Sequence, residues 1–294
     1  MGKLTKEQAK LHQEAAQLVT LARDLTEDER EFVLTHWQES ASTRNVLDGA
    51  FFTPLGLARE MQIDVSGRRI IDLCAGIGRL AWAARDTDWE RVNGMPPREL
   101  VCVERNPDYV AVGRKVLPEA RWICADVLDV PGLGLGEFDC AISNPPFGPL
   151  ARSGNAPGYT GRRFEYHVMA VAAQVARYGA FIIPQQSAPF RYSGVPQSRH
   201  ERDEECQQFE AQTGIEMHFN VGIDTADWDG DWHQVKPRVE IVIAHFPEVR
   251  QVPAAAQLVG APAAVEAPLV AEPAPVRVPV QADAPGAEQQ PALF

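Results

Sequence analysis

Phe138-Asp139-Cys140-Ala141-Ile142-Ser143-Asn144-Pro145-Pro146-Phe147-Gly148 opens as an apolar run and closes as a stiff loop. The run 138–142 reads as a buried strand. Two consecutive prolines cannot continue it, because neither has an N–H to give to a ladder. The chain therefore breaks off at a strand's carboxyl end, where open α/β sheets keep their ligand crevice. Pro146 in turn holds Pro145 extended. The resulting loop offers the Asn144 amide, one unpaired carbonyl and the Phe147 ring. Such rigidity suits preorganised polar catalysis. A plain proline-terminated strand with Phe147 in the core is the competing reading, and the neighbouring strands decide between them.

Working outward, Arg121-Trp122-Ile123-Cys124-Ala125 is a strand ending at Asp126, and Leu100-Val101-Cys102-Val103 one ending at Glu104. Before them, Arg69-Ile70-Ile71-Asp72-Leu73-Cys74-Ala75-Gly76-Ile77-Gly78-Arg79-Leu80 reads as strand, glycine turn and helix. The third glycine of the dinucleotide fingerprint is missing, and no Gly-Lys-Ser/Thr of a phosphate loop follows. Four successive strands thus carry Asp72, Glu104, Asp126 and Asn144 at or near their carboxyl ends, which a parallel sheet aligns along one edge. Upstream, Thr53 is placed to cap a helix whose first residue is Pro54. Helical spacing predicts a helix over 5–25, and Thr26 with Glu29 forms a capping box for a second. Downstream, a helix at about 164–178, a strand over 180–183, a helix over 197–212 and strands over 218–223 and 238–245 complete an α/β sheet.

The 294 residues carry a formal charge of −12, against a general nucleic-acid coat. Between Pro149 and Arg202, however, seven arginines face two glutamates. Among them Arg152, Arg162, Arg163 and Arg191 are candidate phosphate contacts, with a solvated surface as the alternative. The five cysteines show no CxxC spacing and read as reduced core thiols. No run reaches the ~20 apolar residues of a membrane span, and the polar start is no signal peptide, so a cytoplasmic protein without membrane contact is expected. The spaced aspartates of segment 224–233 invite a calcium reading, but the glycine and distal glutamate of an EF-hand loop are misplaced, so it reads as a polar turn, with no metal expected; its Trp228 and Trp232 are candidate stacking wedges. From about Gln251 onward Pro, Ala and Val dominate, and a disordered linker is expected.

Together these motifs resemble S-adenosylmethionine-dependent amino-methyltransferases, and in their order the gamma-type DNA adenine-N6 methyltransferases, over roughly residues 49–184. The resemblance implies an α/β, Rossmann-like class I methyltransferase fold with a central, mostly parallel sheet. Its implied organisation is an N-terminal helical extension (1–48), the methyltransferase domain (49–250) and a disordered tail (251–294). It implies that Phe52, Thr53 and Pro54 run along the methionine part of S-adenosylmethionine, and that Asp72, Ala75, Gly76 and Gly78 form the loop around it. Glu104 then holds the ribose hydroxyls and Asp126 faces the adenine amino group. Asn144, Pro145, Pro146 and Phe147 match the motif that binds the amine to be methylated, beside the cofactor. The implied partner is DNA, with RNA or a protein glutamine as the substrate of same-fold alternatives. A cofactor-binding subunit without catalysis is the alternative of another class. Gln290, Leu293 and Phe294 resemble the short peptide that docks on the bacterial sliding clamp. Only about 60 residues stand where gamma-type enzymes usually carry a target-recognition domain.

Overall fold

Thr5 trades hydrogen bonds with Gln8 and so caps helix α1 (Lys6–Val19). The computed structural model describes residues 4–38, 51–233 and 236–246; the side chains of 88 and 89 are not among them. The predicted helix over 5–25 ends early. The Thr20 hydroxyl turns back onto the Gln17 carbonyl, and Arg23 forks onto Glu29, which brings the chain round into α2 (Glu27–His36). The Thr26–Glu29 capping box is present as predicted. Helix α3 (Leu55–Met61) begins one residue later than expected, with Pro54 in the capping position and no side-chain cap.

Strand β1 (Arg69–Leu73) is followed by α4 (Arg79–Ala83), α5 (Asp88–Val92), β2 (Glu99–Glu104), α6 (Pro107–Val116), β3 (Arg121–Cys124) and β4 (Phe138–Ser143). Then come α7 (Phe164–Ala172), β5 (Ala176–Pro184), a hairpin of β6 (Phe190–Arg191) and β7 (Arg199–His200), α8 (Glu204–Thr213), β8 (Met217–Phe219) and β9 (Val239–His245). The sheet order is β3-β2-β1-β4-β5-β9-β8. The first five strands in sequence run parallel, and β9 lies antiparallel between β5 and β8. The order reverses between β1 and β4, where a crevice opens beyond the strand ends.

Alternate residues divide the core between the two faces of the sheet, as the two-residue period of a strand requires. Ile70, Cys102, Cys140, Ile142 and Ile182 pack with α3, α4 and α6 on one face. Ile71, Leu73, Val101, Ala141 and Phe181 pack with α7 and α8 on the other. Ala15 of α1 and Val33 of α2 belong to the first of these cores, so the N-terminal helices flank the sheet rather than stand apart. The boundary expected at residue 48 lies outside the described residues, as does the tail 251–294 with its terminal peptide.

Four further element boundaries differ from expectation. Strand β5 starts at Ala176, because the Val175 carbonyl already accepts from Phe138 N–H and draws the chain into the sheet. That cuts α7 short. Asp203 caps α8 by accepting from Cys206 N–H, while Arg199 and His200 are used in the hairpin. The Asn220 side chain accepts from Gly222 and Ile223 N–H and turns the chain out of β8. All five cysteines are free, yet only Cys102, Cys140 and Cys206 are buried; Cys124, at the end of β3, is exposed. No helix among the described residues is long and apolar enough to cross a membrane.

Candidate functional site

After β1 the backbone doubles back through three left-handed residues, Cys74 (φ 62°), Gly76 (φ 57°) and Gly78 (φ 92°). At Gly76 a Cβ would come within 3.0 Å of the Phe52 ring, so glycine lets the loop press against that side chain. Asp72 is almost fully buried beneath the loop. Its Oδ2 accepts from Ala81 N–H at 3.1 Å, and its Oδ1 has no partner among the described residues. Burial, reinforced by the nearby Glu104 carboxylate, pushes the Asp72 carboxyl up to about 8. The Ser143 hydroxyl on β4 donates to the Leu73 carbonyl, tying the two strand ends that flank the crevice.

Glu104 ends β2 with its carboxylate fixed by two backbone donors, Gly76 N–H at 2.9 Å and Asn106 N–H at 2.8 Å. Asp126 follows β3 and caps the 3-10 turn 127–132 by accepting from Leu128 N–H, at 3.0 Å. Asn144 follows β4. Its Nδ2 donates to the Phe51 carbonyl at 2.8 Å and to Thr53 Oγ1 at 2.9 Å, while its Oδ1 is buried without a partner among the described residues. Thr53 therefore does not cap α3 as expected: its hydroxyl is held by Asn144.

Phe52, Thr53, Asp72, Ala75, Gly76, Glu104, Asp126, Asn144 and Pro146 all line one cavity at the carboxyl edge of the sheet. Four other predicted residues are not among its lining. Pro54 caps α3, Gly78 backs onto the Trp122 ring, Pro145 is buried, and half-buried Phe147 lies with its ring centroid 6.0 Å from that of Phe51. Cys74, Tyr109 and Arg79 join the lining, and sequence reasoning missed all three. Arg79 is 4 % exposed and donates from Nη1 to the Thr53 carbonyl at 3.0 Å and the Phe52 carbonyl at 3.4 Å, and from Nη2 to the Thr35 carbonyl. Its place directly after the glycine turn was the only signal.

The loop beyond Phe147 is anchored from below. Glu165 accepts from Gly148 N–H and from the Ser187 hydroxyl, and burial raises its carboxyl above the usual range. His167 accepts from Ala156 N–H at Nδ1, which leaves Nε2 to donate to the Gly161 carbonyl; burial lowers its pKa. Of the candidate phosphate contacts, Arg163 pairs with Asp203 and Glu205, and Arg191 with Glu201. Arg152 donates to Asn155 Oδ1 and the Gly161 carbonyl. Of these four, exposed Arg162 alone has no guanidinium partner among the described residues. The tryptophans are not free wedges: Trp232 is buried, and Trp228 lies against Gly56 with its Nε1 donating to Glu60 at 3.3 Å. Asp224 accepts from Gly194 and Ala226 N–H, a turn-forming role. No group of three or more metal-ligating side chains occurs among the described residues.

No protein-family model and no curated protein matches this sequence. Solved structures do match it in fold. The methyltransferase subunit of a type I restriction-modification system from Streptococcus thermophilus aligns over 75% of this chain and 48% of its own, at 15% identity and a TM-score of 0.51. This chain thus spans about half the length of that subunit. A protein from Listeria monocytogenes, described as a candidate class I S-adenosylmethionine-dependent methyltransferase, aligns over 84% of this chain and 76% of its own, at 12% identity and a TM-score of 0.50. The fold is the Rossmann-like one of class I methyltransferases.

Proposed function

We propose that this chain transfers a methyl group from S-adenosylmethionine to the exocyclic N6 amine of adenine in DNA. One observation carries the reading: the Asn144 amide is held by two bonds that leave its Oδ1 buried at the cavity wall as an acceptor with no donor. The cavity suits the cofactor on the same kind of ground. The unpartnered Asp72 Oδ1 fits a cationic or donor group, and the Glu104 carboxylate, oriented by two amides at the end of β2, suits a pair of ribose hydroxyls. Asp126, at the third strand end, is then the acceptor for the adenine amino group. When bound, S-adenosylmethionine supplies an electrophilic methyl group on a sulfonium.

The chain's own contribution is positional. An amine on an aromatic base is a poor nucleophile because its lone pair is delocalised into the ring. Asn144 Oδ1 and the Pro145 carbonyl accept its two N–H groups, which favours a pyramidal nitrogen with the lone pair turned toward the methyl group. Phe147 stacks on the base. A duplex target must first leave its stack, at a cost of a few kcal/mol, and Arg162 and Arg152 are the cations nearest in sequence to contact the flanking phosphates.

Support for DNA comes from the Phe51–Pro54 segment ahead of the glycine turn and from the fold match to a restriction-modification subunit. The pairing of Arg163 and Arg191 with carboxylates favours a second reading, a protein glutamine, whose amide nitrogen also offers two N–H groups. The clamp-like peptide at Gln290, Leu293 and Phe294 is a further proposal, and neither the described residues nor the comparisons lend it support. The deciding experiment incubates the protein with isotope-labelled S-adenosylmethionine and, separately, unmethylated DNA, RNA and protein, followed by digestion and mass spectrometry. Label in N6-methyladenine from DNA alone is expected. Label in RNA or in glutamine replaces the substrate, and no label with the cofactor demonstrably bound refutes the catalytic reading.

A further inference from the structure

Three residues ahead of the sheet, Phe51-Phe52-Thr53, cross from the glycine turn after β1 to the proline loop after β4. Both sides grip them. From the α4 side, Arg79 donates to the carbonyls of Phe52 and Thr53. From the β4 side, Asn144 Nδ2 donates to the Phe51 carbonyl and to Thr53 Oγ1, contacts between residues 93 and 91 apart in sequence. We propose that this strap is the positioning element for Asn144, with Thr53 as the residue that locks the amide in its productive orientation.

A side-chain amide has two nearly isosteric ends, and its terminal torsion is broadly two-fold. Something must therefore decide which end faces the substrate. A carbonyl such as that of Phe51 can only accept, so it selects the NH₂ end. With Thr53 Oγ1 accepting the second hydrogen, both Nδ2 hydrogens are used. Reversing the amide would set Oδ1 against the Phe51 carbonyl and forfeit that bond, a loss the Thr53 hydroxyl could not make good by donating to Oδ1 instead. The oxygen is thereby forced toward the cavity although no donor there satisfies it. A buried acceptor left in that state implies a donor arriving from outside.

Thr53 bears this role rather than a helix-capping one. It stands directly ahead of Pro54 and α3, 3 % exposed, with its hydroxyl turned from the helix to Asn144. Arg79 completes the device by holding the strap's backbone still; its second nitrogen reaches the Thr35 carbonyl at the end of α2. Thr53 and Arg79 are positioning residues, acting on the substrate through Asn144.

The kinetic arm of the test rests on the amino-methyltransferase reading; the spectroscopic arm does not. Thr53→Val keeps the shape and removes the acceptor, and Thr53→Ser restores it. In ¹⁵N-labelled protein the Asn144 side-chain NH₂ signals are assigned by their loss in Asn144→Asp. Their exchange with water is expected to rise about fivefold or more in Thr53→Val, for one lost hydrogen bond, and to return toward wild type in Thr53→Ser. On the substrate identified by labelling, kcat is expected to fall about 10- to 100-fold in Thr53→Val and to recover in Thr53→Ser. Cofactor affinity, measured by calorimetry, should change much less than kcat. Unchanged Asn144 exchange in Thr53→Val overturns the proposal whatever the activity, as does a Thr53→Ser protein no better than Thr53→Val. The expected exchange pattern in a wild-type protein that transfers no methyl group would uphold the strap and refute only the assigned reaction.

Discussion

Asp72 keeps a carboxyl in a place where water cannot solvate its charge. Its pKa is raised from an ordinary 3.8 to about 8, so the folded chain binds a proton there that the unfolded chain has already lost. The stability this proton contributes is complete below the unfolded value and is lost as pH rises through the folded one. Thermal unfolding of the ligand-free protein should therefore show a midpoint that falls between about pH 5 and about pH 8.5, with a smaller fall in Asp72→Asn. A cation bound beside Asp72 favours the charged form, so cofactor binding near neutrality should release protons, visible by calorimetry in buffers of different ionisation heat. Asn144→Ala removes the acceptor proposed for the amine and should cost about 10²–10³-fold in kcat, with cofactor affinity nearly unchanged; a large loss of affinity would give Asn144 the wrong role. Asp72, Glu104, Asp126 and Asn144 were legible in the sequence because each stands where an apolar run stops, and strand ends in a parallel sheet share an edge. Thr53 and Arg79 were not. Thr-Pro has a local meaning, a helix cap, that a partner 91 residues away overrides. A lone arginine reads as surface until the carbonyls that surround it are known.

Helix α3 and the segment that carries Trp228 show the same limit among elements. Gly56 lies inside α3, where exchange for alanine normally stabilises by up to about 1 kcal/mol. Here a Cβ would fall 2.0 Å from the Trp228 ring, which cannot be accommodated without moving the indole. Overpacking of that kind costs about 1–3 kcal/mol, so the clash should win. Gly56→Ala is expected to lower the unfolding midpoint by several degrees and to shift the tryptophan emission; a raised midpoint would show that the 224–233 segment moves aside freely. Order and type of the strands were readable because burial on both faces gives near-continuous apolar runs. Their ends were not, since Ala176 joins β5 through a pairing with β4, and Asn220 ends β8 through bonds of its own side chain. Neither signal is visible in hydrophobic period.

At the scale of the molecule, the arginine excess between Pro149 and Arg202 is largely spent on neighbouring carboxylates, as the pairs of Arg163, Arg177, Arg191, Arg199 and Arg202 show. Of the four candidate phosphate contacts, a nucleic acid would meet only Arg162 and Arg152 without a carboxylate partner among the described residues. Its binding should weaken with salt at a logarithmic slope of only about −2, as expected for about two phosphate contacts. A much steeper slope would mean that these pairs open on binding. The position of β9 bears on how the molecule is made. This strand is the last described one to leave the ribosome, yet its seat is inside the sheet, between β5 and β8. Until it arrives, β8 has no strand to join and β5 presents a long apolar edge open to foreign strands. A nascent chain is thus aggregation-prone for as long as residues 239–245 remain unmade, and a chain stopped short of Val239 should be recovered as insoluble protein or bound to chaperones.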